Sequence, residues 1–260
     1  MPEFCTAERD GRILTVTINR PKVMNALHPM ANEELGSVFD DFVSDPDLWV
    51  AIMTGEGERA FSAGNDLKFQ ASGGMKGKLA VPKHGFGGLT SRYDNTKPVI
   101  AAVNGVAMGG GFEIALACDL IIASETAIFA LPEPRVGLAA LAGGVHRLPR
   151  QIGLKNAMGM ILTGRRVSAE EGLRLGFVNE VVPPADLMSA ARRWAEQIVE
   201  CAPLSIRASK QAVMEGLQYG SVQTASETQY EAIHAMLKSK DFVEGPLAFA
   251  EKRKPNWSGE

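Results

Sequence analysis

Apolar residues follow two different periods along this chain. Up to about residue 165, short β-branched runs alternate with amphipathic stretches, and beyond it the spacing is mostly helical. Residues 3–19 predict a β-hairpin turned at Asp10-Gly11, with Ile13-Leu14-Thr15-Val16-Thr17-Ile18 as its second strand. Asn19-Arg20-Pro21-Lys22 ends that strand. From His28 to Ser44, Met30, Leu35, Val38, Phe39 and Phe42 fall on one side of a helix, which Asp45-Pro46-Asp47 stops. Trp49 to Thr54 reads as a buried strand before a turn at Gly55–Gly57. Residues 70–90 hold six glycines and three lysines with little periodicity, and predict a mobile loop or lid.

The most informative stretch is Lys97 to Asp119, KPVIAAVNGVAMGGGFEIALACD. It predicts a strand over Val99–Val103, a turn at Asn104-Gly105, and an apolar helix after Gly109, Gly110 and Gly111. Two short strands follow, Leu120–Ser124 and Ala127–Ala130. Pro132 and Pro134 then hold Glu133 in irregular, fixed backbone. Gly143-Gly144 precede a helix. Ser168-Ala169-Glu170-Glu171 fits a capping box for a helix ending at Gly176. Phe177 to Val182 predicts a strand, Pro183-Pro184 opens a long helix to Glu200, and residues 203–218 and 221–239 predict two more. The pattern as a whole is that of an α/β core with a helical C-terminal extension.

Composition narrows the function classes. Of 260 residues, 45% are hydrophobic and 22% charged, ordinary for a globular protein able to bury a large core. A net charge of −3 argues against a general binder of nucleic acid or of an anionic membrane surface. Cys5, Cys118 and Cys201 are odd in number, far apart and in no metal spacing, which fits a reducing, cytoplasmic setting. Glu3, Arg9 and Asp10 stand where a signal peptide needs an apolar run, and no stretch is apolar enough to predict a membrane span.

Two constellations suggest chemistry. Glu113 is an acid on an otherwise apolar helix, and Glu133 follows a strand; paired carboxylates suit general acid–base work when their surroundings separate their pKa values. Gly64-Asn65 and Gly109-Gly110 each lie at a turn or helix start, where backbone N–H groups can stabilise charge developing on a carbonyl oxygen. Other motifs fail. A dinucleotide fingerprint would need glycine at Ile114, and no P-loop is present. Ala60-Phe61-Ser62-Ala63-Gly64 imitates a hydrolase nucleophile elbow, with His84, His146 and His234 as available bases.

Together F-S-A-G-N-D-L (61–67), N-G-V-A-M-G-G-G-F-E (104–113), L-P-E (131–133) and L-T-G-R-R-V-S-A-E-E-G-L-R-L-G-F-V-N-E-V-V (162–182) resemble the enoyl-CoA hydratase/isomerase (crotonase) family. The resemblance runs from N-R-P-K-x-x-N-A-L (19–27) to F-A-E-K-R-K-P-N-W (249–257). E-G-P-L-A-F-A-E-K-R-K-P-N-W (244–257) is similar to the carnitinyl-CoA dehydratase branch in particular. The resemblance implies a crotonase-like spiral of ββα units over residues 1–200, with a helical oligomerisation region over 201–260. It also implies a homotrimer or dimer of trimers.

In activity, the resemblance implies hydration of a 2-enoyl-CoA thioester through an enolate. Isomerisation, a carnitinyl-CoA dehydratase-like reaction and non-catalytic acyl-CoA binding are the alternatives. Coenzyme A would be part of the substrate, and no metal or redox cofactor would be needed. Asn65 and Gly110 would supply the oxyanion N–H donors, and Glu113 and Glu133 would hold the water. Contacts to the CoA moiety would fall on Lys22, Ala63, Gly64, Asp66, Leu67 and Lys68, and on Phe249 and Lys252, the last two from a neighbouring subunit. Met24, Ala26, Met108, Gly109, Pro132 and Leu141 would line the thioester and acyl path. The chain departs from the family pattern at G-L-A-A-L-A-G-G (137–144). There Ala140 replaces a proline and Leu141 replaces a glycine whose N–H can help hold the water. Arg135 is expected either to meet a polar acyl group or to form a surface ion pair.

Overall fold

The computed structural model describes residues 3–74 and 82–260. Among the described residues, ten strands form two sheets. The larger has the order β1-β2-β3-β5-β7-β10, and the smaller β4-β6-β8-β9. The strands are β1 (Cys5–Asp10), β2 (Ile13–Ile18), β3 (Val50–Gly55), β4 (Ala60–Ser62), β5 (Val99–Val103), β6 (Val106–Met108), β7 (Leu120–Ser124), β8 (Ile128–Ala130), β9 (Val167–Ser168) and β10 (Glu180–Val182). β1 and β2 are the predicted hairpin. Asp10 pairs with Ile13, so Gly11 and Arg12 form the loop, one residue later than expected, because Gly11 supplies the left-handed φ of 58°.

From β2 to β10 the larger sheet is parallel, with Val16 opposite Met53, Ile52 opposite Ile100 and Ala102 opposite Ile122. After β3, β5 and β7 the chain crosses into the smaller sheet as β4, β6 and β8, which are also parallel. Each turn of the spiral thus contributes one strand to each sheet. The inner strands are buried on both faces, so their side chains divide between two cores. Ala51, Met53, Val99, Ala101 and Val103 face the main core. Ile52, Ile100, Ala102 and Ile122 pack under Leu187, Ala190, Ala191 and Ala195. Parallel strands covered on both sides read as continuous apolar runs, which is the pattern of V-I-A-A-V.

The helices are α1 (Pro29–Ser44), α2 (Leu67–Phe69), α3 (Gly110–Ala117), α4 (Gly144–Ile152), α5 (Leu154–Thr163), α6 (Ala169–Leu175), α7 (Leu187–Val199), α8 (Pro203–Gly216), α9 (Val222–Glu227), α10 (Glu231–Leu237) and α11 (Lys240–Ala250). His28 caps α1, its Nδ1 accepting Ala31 N–H at 3.1 Å, with Pro29 at the first helical position. Met30, expected on the buried side, is exposed; Ala31, Leu35, Phe39 and Phe42 form the inward stripe at spacings of four, four and three. Ser168 caps α6 as the capping box predicts, accepting Glu171 N–H.

The C-terminal helices differ from expectation in two places. The helix read over 221–239 breaks at Thr228, which is extended, and resumes as α10 after Tyr230, whose hydroxyl donates to Ala225 O. The sequence reading also missed α11, because it contains Pro246. Buried Asp241 accepts Ser258 N–H, Ser258 Oγ–H and Gly259 N–H, pinning the last residues to the start of α11. The loop read over 70–90 lies partly outside the described residues. Its second half, 82–92, is tied to α1 by Arg92, whose guanidinium reaches Asp40, Gly36 O and Gly88 O.

Candidate active site

Two glycine turns meet at the start of α3. Gly64, with φ +85°, follows β4, and a Cβ there would lie 2.6 Å from Met108 O and 2.9 Å from Gly110 N. A Cβ on Gly111 would lie 2.0 Å from Ser62 O. Only glycines let these backbones come so close. The contact brings Asn65 beside Gly110. Leu27 N–H donates to Gly64 O and Asp66 N–H to Leu27 O, so the N–H of Asn65 stands outside that bridge. Gly110 is the first residue of α3, where a helix has no carbonyl behind it to take the N–H. The helix dipole adds positive potential at the same place. Half-buried Met108 ends β6 beside them, and Gly109 N–H donates to Ala130 O at 2.9 Å.

The loop before β4 is held by Asn25, from the turn after β2. Asn25 is fully buried with φ +54°, a conformation asparagine tolerates. Its side chain accepts Arg20 N–H and donates to Glu56 O and Ala60 O. Ser62 Oγ donates to Asn25 O at 2.8 Å and accepts Gly64 N–H at 3.1 Å. Ser62 is therefore a fully buried turn clamp, which removes the hydrolase reading. Of the bases considered for it, His84 faces Asp40. Asp66 caps α2 by accepting Phe69 N–H and pairs with Arg20 at 3.1 Å, so its carboxylate is occupied within the protein. Arg20 also donates to Ala26 O. The signal for this clamp was present in N-R-P-K-x-x-N, but sequence spacing does not reveal which side chains fold back onto backbone.

Glu113 lies on the first turn of α3 and is 3% exposed. Its Oε1 accepts Gly144 N–H, from the first residue of α4, at 2.8 Å. Burial pushes its carboxyl up to about 7, and the nearby Glu133 charge pushes the same way, while the Gly144 hydrogen bond opposes them. Glu133 opens the 3₁₀ turn Glu133–Val136, and burial raises its carboxyl too. Its Oε1 faces Gly109, where a Cβ would lie 2.9 Å away. Its Oε2 is buried and has no hydrogen-bond partner among the described residues. The two acids thus lie near one another beside the glycine turns. Phe86 covers Gly110 from another side; a Cβ on Gly110 would lie 2.5 Å from its ring.

The remaining expected site residues fall in several places. Ala26 is buried, and Met24, Ala63 and Pro132 are half-buried. Ala63 N–H donates to Met24 O, joining two of them. Lys22, Leu67 and Lys68 are exposed on the rim formed by the 20–26 turn and α2. Phe249, 87% exposed, ends α11, and exposed Lys252 follows in a left-handed turn. Both belong to the C-terminal helices and not to the spiral that carries the acids. Leu141 differs from expectation: its N–H donates to Ala139 O, and its side chain is exposed. Arg135 does neither of the things expected of it. It donates to Thr163 O, closing the C-terminus of α5. Among the described residues no group of three or more His, Cys, Asp or Glu is placed to hold a metal ion, and no helix is long and apolar enough to cross a membrane.

Comparison with known proteins adds to this geometry. The family model described as enoyl-CoA hydratase/isomerase matches residues 8–260. A carnitinyl-CoA dehydratase from Salmonella arizonae is 47% identical, and one from Escherichia coli is 46% identical, each over the whole of both chains. The crystal structure of an enoyl-CoA hydratase from Mycobacterium tuberculosis superposes with a TM-score of 0.91 at 40% identity, covering 99% of each chain. One from Bacillus anthracis gives 0.91 at 36% identity, covering 99% of this chain and 100% of the other.

Proposed function

The chain belongs to the enoyl-CoA hydratase/isomerase family, and from that premise we propose that Glu113 and Glu133 carry its hydro-lyase chemistry on a 2-enoyl-CoA thioester. The observation that carries the reading is buried Glu113, raised in part by the charge of half-buried Glu133, beside two backbone N–H groups. The thioester oxygen accepts from Asn65 N–H and Gly110 N–H. These donors stabilise the negative charge that appears there as the enolate forms. Burial and the Glu133 charge raise the Glu113 carboxyl to about 7, so its protonated and ionised forms are both populated near neutral pH. One carboxylate takes a proton from water as its oxygen adds at C3, and the other delivers a proton to C2. The reverse sequence eliminates water from a 3-hydroxyacyl thioester.

Coenzyme A enters as part of the substrate, and Lys22 and Lys68 on the exposed rim are suited to its phosphates. Phe249 and Lys252 complete that site from a neighbouring subunit, so the working form is a homotrimer or a dimer of trimers assembled through residues 201–260, in the cytoplasm. A second reading, dehydration of a carnitinyl-type thioester, is favoured by the 46–47% identity to enzymes named for that reaction.

A panel of 2-enoyl-CoA and 3-hydroxyacyl-CoA thioesters, with products weighed by mass spectrometry, tests both. The expected product gains or loses one water. Glu113→Gln and Glu133→Gln should each lower kcat by about 10²- to 10⁴-fold. Unchanged turnover in both variants, or a product of unchanged mass, would refute the mechanism.

A further inference from the structure

Arg147 lies on α4 one turn after Gly144, and its guanidinium folds back over the turn that precedes the helix. A Cβ on Gly143, which has φ +106°, would lie 2.0 Å from Arg147 Nη1. Nη1 donates, at a long 3.4 Å, to Ala142 O, and Nη2 donates at 2.9 Å to Thr90 O. Both acceptors are carbonyls, so neither hydrogen bond neutralises the charge. Thr90 is buried, and its Oγ1 accepts Phe86 N–H at 2.7 Å. Phe86 in turn is the ring that covers Gly110. The guanidinium also stacks near Tyr93 of the same loop, 5.7 Å from the ring centroid. One side chain therefore joins the turn whose Gly144 N–H holds Glu113 to the loop that covers an oxyanion donor.

We propose that Arg147 is a positioning residue that locks the 140–144 turn to the Phe86 loop, so that the acid pair and the oxyanion donors keep one geometry. The inference rests on the hydro-lyase reading of the site. The charged groups facing Glu113 are Glu133, from the turn after β8, and Arg147, from α4. Arg147 also faces Cys118 at the end of α3. With Glu133 repelling and Arg147 attracting, removing the guanidinium leaves the Glu133 repulsion opposed only by the backbone donors of the 142–144 turn. The fork matters as well as the charge, since a lysine ammonium lacks the planar geometry that spans two carbonyls.

The test compares Arg147→Met and Arg147→Lys with the wild-type enzyme. Two quantities are read: kcat and KM on crotonyl-CoA, and the titration midpoint of Glu113 by ¹³C NMR of the labelled carboxyl. In Arg147→Met, kcat should fall about ten- to hundredfold with KM nearly unchanged. The Glu113 midpoint should rise above the wild-type value. In Arg147→Lys the midpoint should stay close to wild type while kcat still falls. A folded Met variant with a wild-type midpoint and wild-type kcat overturns the proposal, as does one that loses only thermal stability. Should the wild-type enzyme turn over no thioester, the hydro-lyase reading fails, and the NMR titration still decides whether Arg147 governs Glu113.

Discussion

Glu113 sits on a helix with its Oε1 held by Gly144 N–H. Glu133 sits on a 3₁₀ turn between two prolines, with a buried Oε2 that takes no hydrogen bond among the described residues. The same side chain is thus built into two unlike surroundings. A buried polar atom without a partner costs free energy, and such a cost persists where another molecule is to supply the missing bond. The first acid is held by a backbone donor, whereas the second has an oxygen left open to one. Two carboxylates so placed do not titrate alike, and acid–base chemistry on a single water requires that difference.

The largest test of this contrast is Gly109→Ala. Gly109 has φ 53° and ψ −124°, outside the regions open to L residues, and the added methyl would reach Glu133 Oε1 at 2.9 Å. It should lower kcat by about 10²- to 10³-fold. Near-normal turnover in a folded Gly109→Ala protein would show that Glu133 is not confined as described.

Next is the pH dependence of stability. The folded-state pKa of Glu113 is raised to about 7 from the usual 4.5, so the folded protein binds that proton more tightly than the unfolded chain. Its contribution is fully present below the unfolded value and drains away as pH rises through about 7. Glu113→Gln, which cannot ionise, should therefore gain on wild type between pH 5 and pH 8, by about 3 kcal/mol at the upper end. Melting temperatures at the two pH values check it; parallel behaviour of both proteins would mean that Glu113 is not buried as an acid.

Gly144→Ala should do less. Its methyl would meet Ala140 Cβ and the Glu113 side chain at 3.0 Å, and its backbone has no left-handed requirement. A kcat loss of about tenfold is expected, and a loss matching that of Gly109→Ala would erase the distinction between the two acids. Arg135→Ala should have the smallest effect, within about 0.5 kcal/mol in denaturant unfolding and with kcat unchanged. A changed acyl preference in that variant would return Arg135 to the substrate site.

The features legible in the sequence were those that leave a mark on residue type. Gly64 and Gly111 are needed where backbones touch, Gly109 and Gly110 where the Glu133 carboxyl and the Phe86 ring come close, and Glu113 stands out in an apolar helix. The alternation of strands and helices predicts the α/β core, because buried parallel strands read as continuous apolar runs, while the ββα spiral follows from the family resemblance alone. What escaped the reading depends on where polar atoms find partners. Nothing in the spacing shows that Asn25 holds Glu56 O and Ala60 O, that Arg135 closes α5, or that Leu141 gives its N–H to Ala139 O. Met30 was misplaced because the hydrophobic stripe of α1 is set by its neighbours in three dimensions, and α11 was missed because proline is a weak guide inside a helix held by tertiary contacts.

The two-sided strands have a consequence for evolution and engineering. Along β3, β5 and β7, neighbouring residues report to different tasks: Met53 and Ala101 border the core from which the glycine turns and α3 emerge, while Ile52 and Ile100 meet α7 on the far side. Substitutions at the α7 face can raise or lower melting temperature with a sheet's thickness between them and the glycine turns. The face under α7 and the face that carries the glycine turns therefore have separate addresses, alternating residue by residue along the same strand.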